Sequence, residues 1–485
     1  MLDSLAMPCR ATHNRSPRSY LGLFVLGSAV LTGCATYSPK PLDSDTLGGV
    51  LATPGEDTLR VMVSELPDPV LSSVVLDLRD GIGPDEAAVL AVVLNPSLRA
   101  QRAVRGVASA EMLNAGLLPD PTLSVGVDLP SGGATAGAVT GVAVGLDWAI
   151  SDLIDRPARK EAAQRAREAV DLEILWSESL VAAQARGLVY GLAGARRSLV
   201  LLDEEIALLQ ENVTSVQAAL DAGQMTEVDM VAAQASLDAA VTQRSVLQEE
   251  VNRARIELAT LLGFPPDADY RADVSLNDEL DDSPGSLEDL LAGMEQHRFD
   301  LLALRRGYDS QEASVRAAIL RQFPRLSLGP TYARDTGNLS TIGIGIGLEL
   351  PLFNANRGEI AIARATREQL ALEYAARVHH ARAGIAHALN RLESAQSRMR
   401  SLATTERSQA SLVSTYRIGL EQGHVDVLSY YQARRDLIET RIARAQSAAE
   451  IHASRLMIEV LAGERWHGEE RGDPATSEST GAAEQ

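Results

Sequence analysis

Residues 121–130 read PTLSVGVDLP, and residues 324–333 read PRLSLGPTYA. The two stretches carry proline, leucine, serine and glycine at the same spacing, offset by 203 residues. Apolar residues alternate with small or polar ones, which is typical of β-strands because successive side chains point to opposite faces. A second alternating run follows each stretch. The sequence therefore predicts one strand pair in each half, at about 121–130 and 141–150 and at about 324–333 and 341–352.

The duplication extends beyond the strands. Leu98 aligns with Leu301 at the same offset of 203, and Gly263 aligns with Gly463 at an offset of 200. Helical periodicity predicts helices at 85–117, 152 to about 219 and on to 262 in the first half, and at 290–322, 357–417 and 425–462 in the second. Such collinear self-similarity indicates an internal repeat. We therefore predict a first repeat at 85–264, a linker at 265–289 and a second repeat at 290–463.

The N-terminus has the features of a lipoprotein signal peptide, predicted at 1–33. Basic residues precede an apolar stretch at 21–30 that is too short to span a membrane, and residues 31–34 read LTGC. We expect Cys34 to carry diacylglycerol and an N-acyl chain, and we expect no other cofactor. The residue after the cysteine is Ala35 rather than aspartate, which favours the outer membrane. Residues 34–84 are predicted to be the lipid anchor with an extended segment, and the acidic tail at 464–485 is predicted to be disordered.

Composition excludes several classes of function. The formal net charge of −20 argues against a nucleic-acid partner. No nucleophile triad, phosphate-binding loop or zinc-ligand spacing appears, so we do not expect an enzyme. His379, His380 and His387 share a predicted helix, but they lack the i, i+4 spacing of a metal site.

The strands are more informative about the setting of the protein. Runs of about 10 residues suit tilted membrane strands, whereas a helix of some 65 residues would be a rod of about 100 Å. Four strands cannot close a membrane barrel, whose smallest examples have about eight, so the barrel must be shared between chains. Two chains would give a filled barrel, and three would give an open lumen. A conduit would therefore be a homotrimer, with small residues on the inner face.

Three acidic residues belong to that inner face in the predicted strands. They are Asp128, Asp147 and Glu349. They would either bias the lumen toward cations or form a solvated acidic face without an effect on selectivity.

Four short segments, in this order within the duplicated frame, carry a family resemblance: LNPSL at 94–98, GLLP at 116–119, LPLF at 350–353 and VDVL at 425–428. The chain resembles the TolC-like outer-membrane efflux proteins, in particular the lipoprotein channels that serve resistance-nodulation-division pumps. The resemblance implies a mixed α and β membrane protein, in which a homotrimer shares a long α-helical barrel and a transmembrane β-barrel with four strands per chain. It also implies a periplasmic adaptor, an inner-membrane resistance-nodulation-division pump and outer-membrane lipid as partners.

The resemblance further implies a periplasmic gate at two coiled-coil tips. Asp426 falls on an acidic ring position, whereas Ser429 stands where TolC carries a second aspartate and Glu421 replaces an arginine. The polar contacts that hold the tips closed are therefore expected to differ from those of TolC. Asp229 and Tyr416 are the candidates for a hydrogen-bonded pair among these contacts.

Three functions remain open from the sequence. The leading hypothesis is the passive outer-membrane channel of a tripartite efflux system, gated at the tips. The alternatives are the outer-membrane channel of a type I protein secretion system and a non-conducting coiled-coil lipoprotein scaffold. The sequence does not name the transported substrate, because in this architecture the pump selects it.

Overall fold

The structure is a computed structural model that describes residues 37–463, apart from 45–46, 49–51, 53, 67–70, 72, 78, 80, 134–136, 273, 275 and 277–283. The signal peptide, Cys34 and the acidic tail lie outside the described residues. The chain divides into two compact units, Met1–Ala52 and Thr53–Gln485. The described residues of the first unit are exposed, and they include a turn in which the Leu47 amide donates to the Asp43 carbonyl.

The second unit begins with three helices: α1 (Glu56–Ser64), α2 (Pro84–Leu94) and α3 (Pro96–Gly116). The prediction of an extended segment is wrong for α1. Leu59 and Val63 lie one turn apart on α1 and are both buried against the same core as α2. Burial of these two side chains favours a helix more strongly than the surrounding turn-forming residues disfavour it.

Helix α2 lies at the centre of the largest apolar cluster. Its residues 87–94 are buried without interruption, which requires protein on every side of the helix. Part of that cover comes from the linker between the repeats, where the Arg271 carbonyl accepts from the Ile82 amide at 2.7 Å and Tyr270 packs against the cluster. The linker therefore binds the N-terminal segment to the body of the unit.

Four strands form one antiparallel sheet in the order β1-β2-β3-β4: β1 (Thr122–Asp128), β2 (Gly141–Ala149), β3 (Arg325–Arg334) and β4 (Ser340–Glu349). Strand β4 ends three residues before its predicted end, and residues 350–353 follow it as non-strand backbone. β1 and β4 are the two edges of this sheet, so each has one side without a strand partner among the described residues.

The two faces of the sheet differ in the way the alternating pattern predicts. Ser124 lies opposite Gly145, and Gly126 lies opposite Ala143, so small residues share one face. The other face is apolar and exposed: the relative exposure is 65% for Leu123 and 87% for Ile342. An apolar face this large needs a non-aqueous or protein partner.

The hydrogen-bonded ladder between β2 and β3 is interrupted at Gly329 and Pro330. Pairing joins Gly145 to Thr331 and Trp148 to Leu328, with no ladder pair between them. Pro330 has no N–H to donate, and a Cβ at Gly329 would overlap the carbonyl oxygen of Leu146. The Gly-Pro dipeptide therefore interrupts the hydrogen bonding between β2 and β3 locally.

Four long helices form two antiparallel hairpins. Hairpin 1 consists of α4 (Asp152–Asp221) and α5 (Glu227–Leu261), and hairpin 2 consists of α9 (Arg357–Glu421) and α10 (Val427–Ala462). At 1.5 Å per residue, α4 and α9 are each about 100 Å long. Helix α4 packs along α10, which joins the hairpins within one chain. Among the described residues, no helix combines the length and the hydropathy needed to cross a membrane.

The predicted helix at 290–322 is three helices: α6 (Leu287–Ala292), α7 (Met294–His297) and α8 (Phe299–Leu320). The break before α8 corresponds to the break before α3, since Arg298 and Asn95 stand at equivalent positions. The Asn95 amide donates to the Leu261 carbonyl at 2.9 Å, and Arg298 donates to the Leu461 carbonyl at 3.0 Å. Each side chain thereby ties a helix break to the end of the long helix of its own repeat.

Candidate functional site

The tips of the two hairpins have the same backbone course. Tip 1 (residues 222–226) and tip 2 (residues 422–426) each turn at a glycine with positive φ, 69° at Gly223 and 73° at Gly423. The amides of Gln224 and His424 each donate back to the last turn of the preceding helix, at 2.8 and 2.7 Å. These bonds satisfy carbonyl groups left open at the helix end. The tips are therefore compact turns rather than loose loops.

At each tip, a carboxylate and a hydroxyl three residues apart are hydrogen-bonded to each other, one in the tip and one in the first turn of the following helix. At tip 1 the Asp229 carboxylate accepts from the amide and the hydroxyl of Thr226, at 2.9 and 2.7 Å. At tip 2 the Asp426 carboxylate accepts from the amide and the hydroxyl of Ser429, at 2.8 and 2.7 Å. The acid precedes the hydroxyl at tip 2 and follows it at tip 1.

Both carboxylates are poised to stay ionised. The hydrogen bond from the Thr226 hydroxyl lowers the pKa of Asp229, and the bond from the Ser429 hydroxyl lowers the pKa of Asp426. The charge of Asp426 acts weakly in the opposite direction on the pKa of Asp229, so the two carboxylates lie within electrostatic range of each other.

The expected bond between Asp229 and Tyr416 does not occur within the described chain. The Asp229 carboxylate accepts from Thr226 instead, because it lies in the first turn of α5, where amide groups lack helical partners. Tyr416 is half-buried and packs against the apolar cluster behind the tips. In this structure Tyr416 therefore contributes apolar packing behind the tips.

Behind the tips, each hairpin carries an internal ion pair at the same place. Asp203 on α4 pairs with Arg244 on α5 at 2.5 Å, and Glu406 on α9 pairs with Arg444 on α10 at 2.8 Å. These residues correspond to one another at the repeat offsets of 203 and 200. Arg441 adds a second bond to Glu406 at 3.0 Å. An ion pair at the same position therefore joins the two helices of each hairpin.

One further ion pair joins the two hairpins to each other. Glu205 on α4 accepts from Arg434 on α10 at 2.5 Å, and the side chains are only 12% and 10% exposed. The Arg434 guanidinium also lies 5.7 Å from the centre of the Tyr430 ring. Burial raises the pKa of Glu205 against the opposing charge of Arg434.

Sequence reasoning missed this pair. At the repeat offsets, Glu205 corresponds to Ser408 and Arg434 to Gln234, so the pair has no counterpart in the other half. The duplicated frame could have signalled it, because a charge that breaks the internal symmetry is a candidate for a role between the repeats.

The three acids predicted for the inner face do lie on the small-residue face. Asp128 is opposite Gly141 at one end of the sheet, and the Asp147 carboxylate accepts from the Ser327 hydroxyl at 2.9 Å. Glu349 is directly opposite Arg325, a cation on this face that the sequence analysis overlooked. The acids lie at different heights and do not form one ring.

In the part of the chain that the structure describes, no group of three His, Cys, Asp or Glu side chains is arranged to hold a metal ion.

The geometry defines a class: two long helical hairpins attached to a four-stranded sheet whose outer face is apolar. Comparison with known proteins agrees with it. Residues 290–464 match the family described as outer membrane efflux protein. The chain is 23% identical over 270 residues to the outer membrane efflux protein BepC of Brucella suis biovar 1 (strain 1330), an alignment that covers 53% of this chain and 57% of that relative.

Two further comparisons cover more of the chain. It is 24% identical over 375 residues to the cobalt-zinc-cadmium resistance protein CzcC of Cupriavidus metallidurans (strain ATCC 43123 / DSM 2839 / NBRC 102507 / CH34), covering 75% of this chain and 86% of that protein. The solved structure of the outer-membrane channel OprN superposes with a TM-score of 0.68 at 20% identity, covering 89% of this chain and 99% of OprN. Residues 290–464 therefore match the outer membrane efflux protein family, and the chain has the fold of the outer-membrane channel OprN.

Proposed function

We propose that this chain is the passive outer-membrane duct of a tripartite efflux system and works as a homotrimer. The observation that carries the proposal is the sheet, whose two edges lack partners and whose outer face is exposed and apolar. Three chains pairing β4 to β1 would form a twelve-stranded barrel without edges and with small residues inside. The hairpins would continue it as a helical tunnel.

The partners are inferred from the similarity to outer membrane efflux proteins. A periplasmic adaptor and an inner-membrane resistance-nodulation-division pump would deliver the substrate, which then diffuses through the duct without a catalysed reaction. The relatives named above are described by efflux and by cobalt-zinc-cadmium resistance, which agrees with such a system and leaves the substrate of this chain to its pump.

The gate is assigned to the hairpin tips. Asp229 and Asp426 would bring six carboxylates to the entrance of a trimer, and mutual repulsion between them favours dilation. The Glu205–Arg434 pair opposes dilation, because it holds hairpin 2 against hairpin 1. Tyr416 contributes by packing behind the tips. In the lumen, Asp128 and Asp147 would favour cations, whereas Arg325 offsets Glu349.

Cys34 is proposed as the lipid attachment site. Mass spectrometry of the mature N-terminal peptide tests this directly: a diacylglyceryl and N-acyl adduct on Cys34 is expected. An unmodified N-terminus formed by cleavage elsewhere would refute it.

The duct itself is tested by single-channel conductance in planar bilayers, with the acylated protein compared with Asp426→Ala. Asp436→Ala, which removes an exposed acid of α10 away from the tip, is the matched control. We expect small, cation-biased steps that change with Asp426→Ala and not with the control. Equal steps in all three proteins would remove Asp426 from the gate. If confirmed trimers stay silent even with the adaptor added, the protein is a scaffold.

A further inference from the structure

The exposed apolar face of the sheet contains a pocket of about 690 Å³. The segment before β1 forms one wall, and the outward side chains of β2, β3 and β4 form the rest: Leu118, Pro119, Leu146, Trp148, Leu328 and Ile344. Asp120 is the only charged residue among those that line it. Nothing in the proposed duct uses this pocket, because it lies on the side of the sheet away from the small residues.

The pocket owes its depth to the interrupted ladder. Gly329 adds no side chain, and Pro330 fills less space than the branched residues around it, so the surface dips between Leu328 and Ile344. Neighbouring strand pairs present large side chains at the equivalent places. The dip is therefore specified by the Gly-Pro dipeptide.

Trp148 forms the rim of the pocket in a fixed orientation. Its indole N–H donates to the Pro119 carbonyl at 2.8 Å, which satisfies the single polar group of the ring. The remaining ring surface is carbon and faces the pocket. Tryptophan at the end of a membrane strand is typical of the boundary between lipid and water.

We propose that this pocket binds one acyl chain of a phospholipid from the periplasmic leaflet of the outer membrane. The pocket is continuous with the exposed apolar strand face, which would contact lipid in the proposed outer-membrane duct. It adjoins the end of α3, so it opens on the helical, periplasmic side of the sheet. The inference rests on membrane placement and is independent of conduction.

Fluorescence quenching by brominated lipid tests the proposal on the full-length trimer in vesicles. In one protein Trp176→Phe and Trp466→Phe leave Trp148 as the sole reporter. In a second, all three tryptophans become Phe and Ile342→Trp reports from the same face outside the pocket, where Ile342 is 87% exposed. Both proteins are equilibrated with phosphatidylcholine brominated in its acyl chains and then transferred to excess unbrominated phosphatidylcholine.

We expect Trp148 to keep more than half of its quenching after transfer, while the Ile342→Trp reporter recovers almost fully. Leu328→Phe, which fills the pocket, should abolish the retained quenching, and Ile346→Phe, the same kind of change outside the pocket, should not. Equal recovery of both reporters would overturn the proposal, because the lipid would then be ordinary boundary lipid. Absence of any quenching at Trp148, with normal quenching at Ile342→Trp, would also overturn it, since a neighbouring copy or the chain's own anchor would then fill the pocket.

Discussion

The two hairpin tips reach the same geometry with their residues in opposite order. Tip 1 places the hydroxyl of Thr226 before the carboxylate of Asp229, whereas tip 2 places the carboxylate of Asp426 before the hydroxyl of Ser429. Both arrangements supply an acceptor to the first turn of the following helix. The repeats therefore preserve hydrogen-bond roles rather than residue types. A residue-by-residue alignment pairs each acid with a hydroxyl residue and so does not show that both tips carry an acid.

The helix breaks show a larger divergence between the repeats. Repeat 1 uses the neutral amide of Asn95, whereas repeat 2 uses Arg298, which forms a buried ion pair with Asp300 and stacks 4.6 Å from the centre of the Trp176 ring. Equivalent positions therefore hold a neutral side chain in one repeat and a buried ion pair in the other. Substitutions at the two positions should change the free energy of unfolding by different amounts.

The largest expected effect is that of Arg298→Met. It leaves the Asp300 carboxylate, 4% exposed, with the Leu301 amide at 3.0 Å and a single cation, the more distant Arg377 at 3.4 Å. We expect a loss of about 3 to 5 kcal/mol in stability, against about 1 kcal/mol for Asn95→Ala, both measured by chemical denaturation of the trimer in detergent. The double variant Arg298→Met with Asp300→Leu should recover most of the loss. Equal losses for the two single variants would show that charge does not distinguish the breaks.

The next prediction compares the Glu205–Arg434 ion pair, which joins the two hairpins, with the Asp203–Arg244 ion pair, which lies within hairpin 1. Arg434→Met leaves Glu205 buried without its cation, so we expect the closed arrangement to lose about 3 kcal/mol and open probability in bilayers to rise strongly. The matched change Arg244→Met removes a pair whose side chains are 44% exposed, and it should cost less than about 1 kcal/mol. If Arg244→Met opened the channel as much as Arg434→Met, the Glu205–Arg434 pair would have no special role.

The same pair gives a pH dependence of known sign. Because burial raises the pKa of Glu205, the closed hairpins bind a proton more readily than a solvated Glu205 would. The closed state is therefore stabilised as the pH falls from the raised pKa toward the ordinary glutamate value, and that gain is lost as the pH rises. Open probability should fall as the pH falls through this window, and Glu205→Gln should remove this pH dependence. A channel opened by mild acid in this window would contradict the assignment.

A smaller effect is expected at the glycines that end the long helices. Gly263 and Gly463 have φ of 72° and 76°, and an added Cβ at Gly263 would lie 2.6 Å from the Leu94 carbonyl oxygen. Gly263→Ala should cost about 2 kcal/mol through backbone strain and this contact. Gly463→Ala meets its nearest atom at 2.9 Å and should cost slightly less. Gly307→Ala, in a helix with open space around it, is the control and should be neutral or stabilising in the same denaturation assay.

The smallest effect tests the exchanged tips. Ser429→Ala removes the hydroxyl that lowers the pKa of Asp426, so that pKa should return toward the usual aspartate value. The contribution of Asp426 is present above that usual value and is lost as the pH falls through the depressed one, so in the variant the loss should be smaller and should be complete at a higher pH. Limited proteolysis of the tips across pH 3 to 5, a window near the ordinary aspartate pKa, measures this. Asp426→Thr with Ser429→Asp copies the order of tip 1 and should restore the wild-type profile.

Much of this architecture could be predicted from the sequence. The period-two runs fixed all four strands to within a few residues, and the repeat offset located both hairpins. Helix α1 and the breaks around α7 were missed, because short helices are decided by burial of a few side chains rather than by periodicity. Asp229 and Asp426 were both assigned to the tips from the sequence, but the partner of Asp229 was wrong, because Thr226 rather than Tyr416 donates to it. The pairing of Glu205 with Arg434 was missed, since it joins segments more than 200 residues apart.

The unpartnered edges of β1 and β4 impose an order on biogenesis. In lipid, the backbone groups of an open edge would have neither water nor a strand to bond, at a cost of several kcal/mol for each group. A solitary chain therefore has no stable membrane-inserted form. Insertion of the proposed twelve-stranded duct would wait until three copies meet, so the yield of inserted protein should depend steeply on the periplasmic concentration of the precursor. A cell making too little of it would accumulate uninserted monomers rather than leaky partial pores.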